Sequence, residues 1–191
     1  MKKIIAMLLA VLLAASMVAC GNNAGSNDTD AKVDVPASAL EILEKVWGSY
    51  GEDEKFFVYG GNMGENVVEN APGAFDVTDT DGLTYTLLVP AEQTANIDGA
   101  ASMVHGMLAN NFTCGVFHVT GDAKAFAEAM KTAVMGNQWM CGMPEKLLVS
   151  VIGGEYVLVA FGIGDAITPF QTKLAAAYPA AEQLYFEDLA Q

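Results

Sequence analysis

The chain predicts an α+β domain, a mixed or mostly antiparallel sheet of four to five strands with helices packed on it. Three observations carry this. Short segments rich in β-forming residues alternate with segments whose apolar residues recur at helical spacing. Gly153 and Gly154 stand between the two clearest strand segments, where glycine reaches positive φ without steric cost and lets the chain reverse. The stretch 36–191 has the length of one common domain and shows neither an internal repeat nor a second boundary.

The first twenty residues are of another kind. Lys2 and Lys3 precede an apolar run over 4–19, closed by Val18, Ala19 and Cys20, which is the layout of a secretory signal ending in a lipobox, with Met17 where leucine is more usual. Sixteen apolar residues fall short of the roughly 20 needed to span a bilayer core. The expectation is a signal peptide over 1–19, cleaved so that Cys20 becomes the first residue and carries lipid, diacylglyceryl and palmitate-type chains. Several acyl chains hold a protein stably where one binds only reversibly. The partner implied is therefore the cell membrane, with the domain on its extracytoplasmic face. Residues 21–34 (GNNAGSNDTDAKVD) have almost nothing to bury and read as a flexible tether, completing the segment 20–35.

Within the domain, Ser38 followed by Glu41 forms a capping-box pattern, and Leu40, Leu43, Trp47 and Tyr50 continue it as a helix ending near Gly51. Residues 52–82 read as loops with one short strand around 56–59. Strands are expected over 83–89, 113–119, 146–152 and 156–161, and a last one over 183–187. Helices are expected after Asp98, with Ala100, Val104, Met107 and Leu108 on one face, and after Asp122, with Phe126, Ala127, Met130 and Val134. A further helix is expected to start at Thr168, Pro169 and Gln171 and to stop at Pro179.

The pieces 97–108, FTCGVFHV, DAKAFAEAM, LLVSVIGGEYVLVAFG and TPFQTKLAAAYP, taken in that order, resemble a family of small lipoproteins of Gram-positive anaerobes known as a domain of unknown function. The likeness covers 83–189, a little over half the chain. It implies a location and a fold, and transfers no site residue.

Charge narrows the partners. Beyond Cys20, seven lysines face twenty-three acids, a formal charge of −16, and the chain has no arginine. Nucleic-acid binding needs clustered cations to displace counterions, so it is excluded as an expectation. Bidentate recognition of phosphate or carboxylate by guanidinium is excluded with it.

Candidate chemistry is sparse. Met135, Trp139, Met140, Cys141 and Met143 cluster in AVMGNQWMCGMPEK, one turn after Met130. Soft sulfur ligands select Cu(I), which makes Met140, Cys141 and Met143 the candidate metal ligands, although methionine is also an ordinary gap-filler. Export would place Cys114 and Cys141 where a disulfide can persist; otherwise both are small buried hydrophobes. His105 is expected on the solvated flank of the Asp98 helix, and His118 as a hydrogen-bonded structural histidine on a strand. A hydrolase would need Ser102 or Ser150 set against one of them, and no nucleophile-elbow motif occurs. Asp76, Asp79, Asp81 and Gly82 resemble part of a calcium loop, but Val77 and Leu88 occupy positions where acids are required, so a turn is expected. Gly162, Ile163 and Gly164 lack the rest of a dinucleotide fingerprint, and no cofactor is expected. The function expected is a non-enzymatic binding or interaction module for a small ligand or an envelope protein. Soft-metal binding and envelope hydrolysis are the alternatives.

Overall fold

The computed structural model describes residues 35–64 and 66–189. The expected signal peptide, Cys20 and all of the expected tether but Val35 lie outside them. An open, wholly antiparallel sheet of eight strands organises the domain, so the expected α+β class holds while the strand number is larger than expected. The strands are β1 (Val58–Gly60), β2 (Val68–Glu69), β3 (Gly73–Phe75), β4 (Ile97–His105), β5 (Phe112–Val119), β6 (Lys146–Ile152), β7 (Tyr156–Gly162) and β8 (Glu182–Asp188). Their order is β2-β1-β4-β5-β7-β6-β8, with β3 pairing β4 beside β1.

Helices cover both faces of this sheet. Helices α1 (Ala39–Gly48) and α4 (Gly164–Ala177) bury Ile42, Leu43, Ile167 and Phe170 against Met103, Cys114, Val116, Leu148 and Leu158. On the other face α2 (Thr80–Tyr85) and α3 (Ala123–Gly136) bury Leu83, Phe126, Met130 and Val134 against Phe117, Leu147, Val149, Val157 and Phe161. Each such fully buried side chain contributes about 1.5–3 kcal/mol by leaving water.

Several elements differ from expectation, each for a physical reason. Residues 97–105 form strand β4, not a helix. Ala100 to Val104 are all buried because this central strand is covered on both faces, so the alternation that marks a half-exposed strand is missing and the alanines mimic a helix. Residues 83–89 are not a strand. Leu83 and Leu87, one helical turn apart, are buried while Tyr85 points out, and Asp79 caps α2 by accepting from the Gly82 N–H. Helix α4 begins at Gly164, before the proline, because the Glu145 carboxylate accepts the Gly164 N–H at 2.7 Å, a cap supplied from a distant part of the chain. The 52–82 region holds three short strands rather than one. The first turn of α1, the Gly153-Gly154 reversal with φ of 61° and 83°, helix α3 and strand β8 are as expected.

The outer edge of β4 is shared. Strand β1 pairs with Met103 to His105, and β3 pairs with Ala100 to Ser102. Where they meet, a Cβ on Gly60 would lie 2.1 Å from the Gly73 nitrogen, and one on Gly73 would lie 2.6 Å from the Gly60 carbonyl carbon. Only glycine fits at either position.

Candidate functional site

The two ends of the sheet are chemically different, and the difference locates the site. At one end β4 finishes, β5 begins, β7 finishes and α3 gives way to the loop 137–143. Here an open cleft of about 380 Å³ is lined by Met63, Tyr85, Leu88, Val104, Thr113, Trp139, Met140 and Phe161, with the amides of Asn110, Asn137 and Gln138. That volume lies within the usual range for small-ligand sites. Phe161 is buried and forms the floor, and the Trp139 ring packs on it at 5.2 Å. The walls are exposed: Tyr85 is 80% accessible, Met140 80% and Met63 66%, and Met107 on the adjoining turn 85%. Large apolar side chains collected this way mark an interaction surface, whereas scattered ones do not.

Specific contacts hold the cleft's wall. Asn110 Nδ2 donates to the carbonyls of Met140 and Gly142, at 2.8 and 2.7 Å, and fixes the course of the loop. Within that loop Cys141 takes φ 62°, and across the cleft Leu88 takes φ 58°. Non-glycine residues rarely adopt this region, and such strain concentrates where loops are held for binding. Among the described residues no lysine, histidine or carboxylate side chain lines the cleft.

The opposite end is charged, and an open cleft of about 480 Å³ there is lined by Asp122, Lys124, Val151, Gly153, Gly154 and Glu182. His118 Nδ1 hydrogen-bonds the Asp98 carboxylate, and its Nε2 lies 3.6 Å from Glu155 in the β6–β7 turn. The register shift between Ile97 and Gly99 places Asp98 beside His118. The hydrogen bond to Asp98, helped by Glu155, holds the imidazole pKa above its ordinary value. Lys124 pairs with Glu182 nearby, at the start of α3 and of β8. Val35 and Pro36 pack beside Gly153 at this same end. Tyr156 and Phe161 on β7 mark the two ends, five residues or roughly 17 Å apart.

The candidate ligands Met140, Cys141 and Met143 lie together on the loop 137–143. Met140 lines the cleft and Cys141 and Met143 do not, while Met63, which sequence spacing could not associate with them, stands in the wall. Among the described residues no three His, Cys, Asp or Glu side chains gather as metal ligands. Cys114 and Cys141 are both free: Cys114 is buried in the sheet, where desolvation raises its thiol pKa well above the ordinary value, and Cys141 is exposed, so it is neither bridged nor a core residue.

His105 ends strand β4, not a helix flank. Its Nδ1 accepts from the N–H groups of Met107 and Leu108, and its ring stacks on Phe56. Ser102 is buried and donates to the Gly61 carbonyl, and in register it faces Gly115, three residues along β5 from His118. Ser150 is buried within β6. Neither serine meets His118. The acidic loop closes on itself: Asp76 accepts from the Thr78 hydroxyl and N–H, and Asp79 from Asn62 Nδ2 and the Gly82 N–H. Those bonds lower both carboxyl pKa values.

Tyr85, Asn110 and Thr113 belong to the site, and no sequence motif points to them. With Leu88 they come from two stretches, 85–88 and 110–113, which the topology brings together. Among the described residues no helix is long and apolar enough to cross a membrane. No protein family, curated protein or solved structure matches the chain.

Proposed function

We propose that this protein is a lipid-anchored module on the extracytoplasmic face of the membrane, and that it binds an apolar ligand, without chemistry, in the cleft between Tyr85, Trp139 and Met140. The observation that carries the reading is the concentration of exposed aromatic and thioether side chains over a buried floor at one end of the sheet. The lipobox ending at Cys20 supports the anchoring, as does the resemblance to small lipoproteins of Gram-positive anaerobes. Chain residue 35 joins the domain at the opposite end of the sheet, which leaves the cleft open away from the tether's attachment.

Two measurements test it. Labelled palmitate should enter the wild-type chain and be absent from Cys20→Ala, which should also leave the membrane fraction. Nile red, an uncharged apolar fluorophore, should bind saturably, and Trp139→Ala with Met140→Gln should weaken that binding by about tenfold. Nile red binding indifferent to both substitutions would remove the cleft from consideration.

Soft-metal binding is the second reading, favoured by Met63 and Met140 lining one cleft beside Trp139. Quenching of Trp139 emission by stoichiometric Cu(I), abolished by Met140→Gln, is the result that would prefer it.

A further inference from the structure

We infer that the cleft's occupant is a cationic amphipathic peptide segment, its apolar face on the methionines and its basic side chains over the surrounding acids. The inference rests on the cleft being the binding site, as proposed above, and adds the chemical class of what binds there.

The first argument is the kind of apolar surface on offer. Seven methionines follow Cys20, and only Met103 and Met130 are buried in the core. The other five are Met63, Met107, Met135, Met140 and Met143, and all of them are exposed. Met63 and Met140 line the cleft, Met107 follows the end of β4, and Met135 and Met143 flank the loop that carries Trp139. An unbranched, polarisable thioether adapts its shape to irregular apolar partners, so a surface built of methionine suits a varied row of side chains better than one rigid ligand. The opening is a shallow cleft with exposed walls, which a helix or turn can lie across.

The second argument is charge. Residues 36–191 carry six lysines against twenty acids, a formal −14, which gives the domain a strong negative field. The lysines do little to relieve it locally: Lys55, Lys124, Lys131, Lys146 and Lys173 are each paired with a carboxylate of the domain. None of the described lysines lines the cleft. Asp81 is exposed one helical turn before Tyr85, so an acid stands on the same helix face beside the apolar surface. An anionic or acidic partner is repelled there, and a basic one is steered in.

The test uses the whole chain carrying Cys20→Ser, so that no acyl chain competes. Only two tryptophans are present, and Trp47 is buried with its indole N–H on the Asn70 carbonyl, which leaves Trp139 as the reporter. A synthetic amphipathic peptide of leucine and lysine should shift Trp139 emission saturably, and its leucine–glutamate counterpart should not. Affinity for the lysine peptide should fall as salt rises from about 0.1 to about 1 M, where screening shortens from about 10 to about 3 Å. Met63→Gln with Met140→Gln should weaken it by about tenfold. Asp81→Lys, at an exposed position outside the cleft lining, should weaken the lysine peptide while leaving Nile red binding unchanged. Equal binding of both peptides, or lysine-peptide binding untouched by Asp81→Lys and by the double methionine change, overturns the inference. Nile red binding without peptide binding defeats this inference alone, and loss of both defeats the cleft itself.

Discussion

The two ends of the sheet are built from the same strands and are finished in opposite ways. At the β6–β7 turn the strand ends carry Asp98, His118 and Glu155, each meeting an opposite or hydrogen-bonding group, and α3 starts on its own Asp122 cap. At the other end the strands run into a floor of Phe161, Val104 and Thr113, and the side chains above it are apolar and exposed. Burial alone would favour covering that second end. Both ends carry an open cleft, but the one at the charged end is lined by Asp122, Lys124 and Glu182, whereas the other exposes aromatic and thioether side chains.

The largest expected effect separates floor from wall. Phe161→Ala removes a buried ring packed under Trp139 and should cost about 3–5 kcal/mol, seen as a lowered urea midpoint with an unchanged slope. Met140→Gln, at an exposed position, should stay within about 0.5 kcal/mol of wild type. If the two destabilise alike, Met140 belongs to the core and the contrast between the ends is lost.

Next comes the crossing of β1 and β3, which holds the segment carrying Met63. Gly73→Ala brings a methyl against the Gly60 backbone and should cost about 1–3 kcal/mol, at the upper part of that range because the neighbour is backbone and cannot rotate away. Alanine tolerated there without loss would show that the edge of β4 can open. Smaller again is Asn110→Ala, which releases the Met140 and Gly142 carbonyls. These bonds are solvent-accessible, so about 0.5–1.5 kcal/mol is expected, together with faster amide exchange confined to the loop 137–143.

How much of this could be read beforehand depends on whether the cause was local. The Ser38 and Asp122 caps, the glycine reversal before β7 and the amphipathic face of α3 depend on neighbours within a few residues, and the sequence displays them. The sequence of strand β4 reads as a helix because its flanking layers, not its own pattern, decide that both its faces are apolar. The start of α4 was misplaced because its cap is Glu145, nineteen residues earlier. The cleft was half legible: Trp139 and Met140 stood out by composition, whereas Met63, Tyr85 and Thr113 reach the same place only through the order of the sheet.

The smallest prediction tests the charged end. Desolvation works against the imidazolium, but the Asp98 hydrogen bond and the Glu155 carboxylate outweigh it and raise the His118 pKa above 6.5 in the folded state. Tyr156, the other titratable group against the ring, stays neutral in this range because burial and the nearby carboxylates raise its own pKa. A raised folded-state pKa means that the pair's stabilisation is fully present below the unfolded value of 6.5 and is lost as pH rises through the folded one. The ring is partly solvated, so the gain is that of a surface pair, about 0.2–1 kcal/mol. Asp98→Asn should therefore lower the urea midpoint relative to wild type near pH 6, and the gap should close as His118 loses its proton. A gap that stays constant into the alkaline range would mean that Asp98 acts on His118 by geometry alone. The charged end would then be held by shape, as the floor of the cleft is.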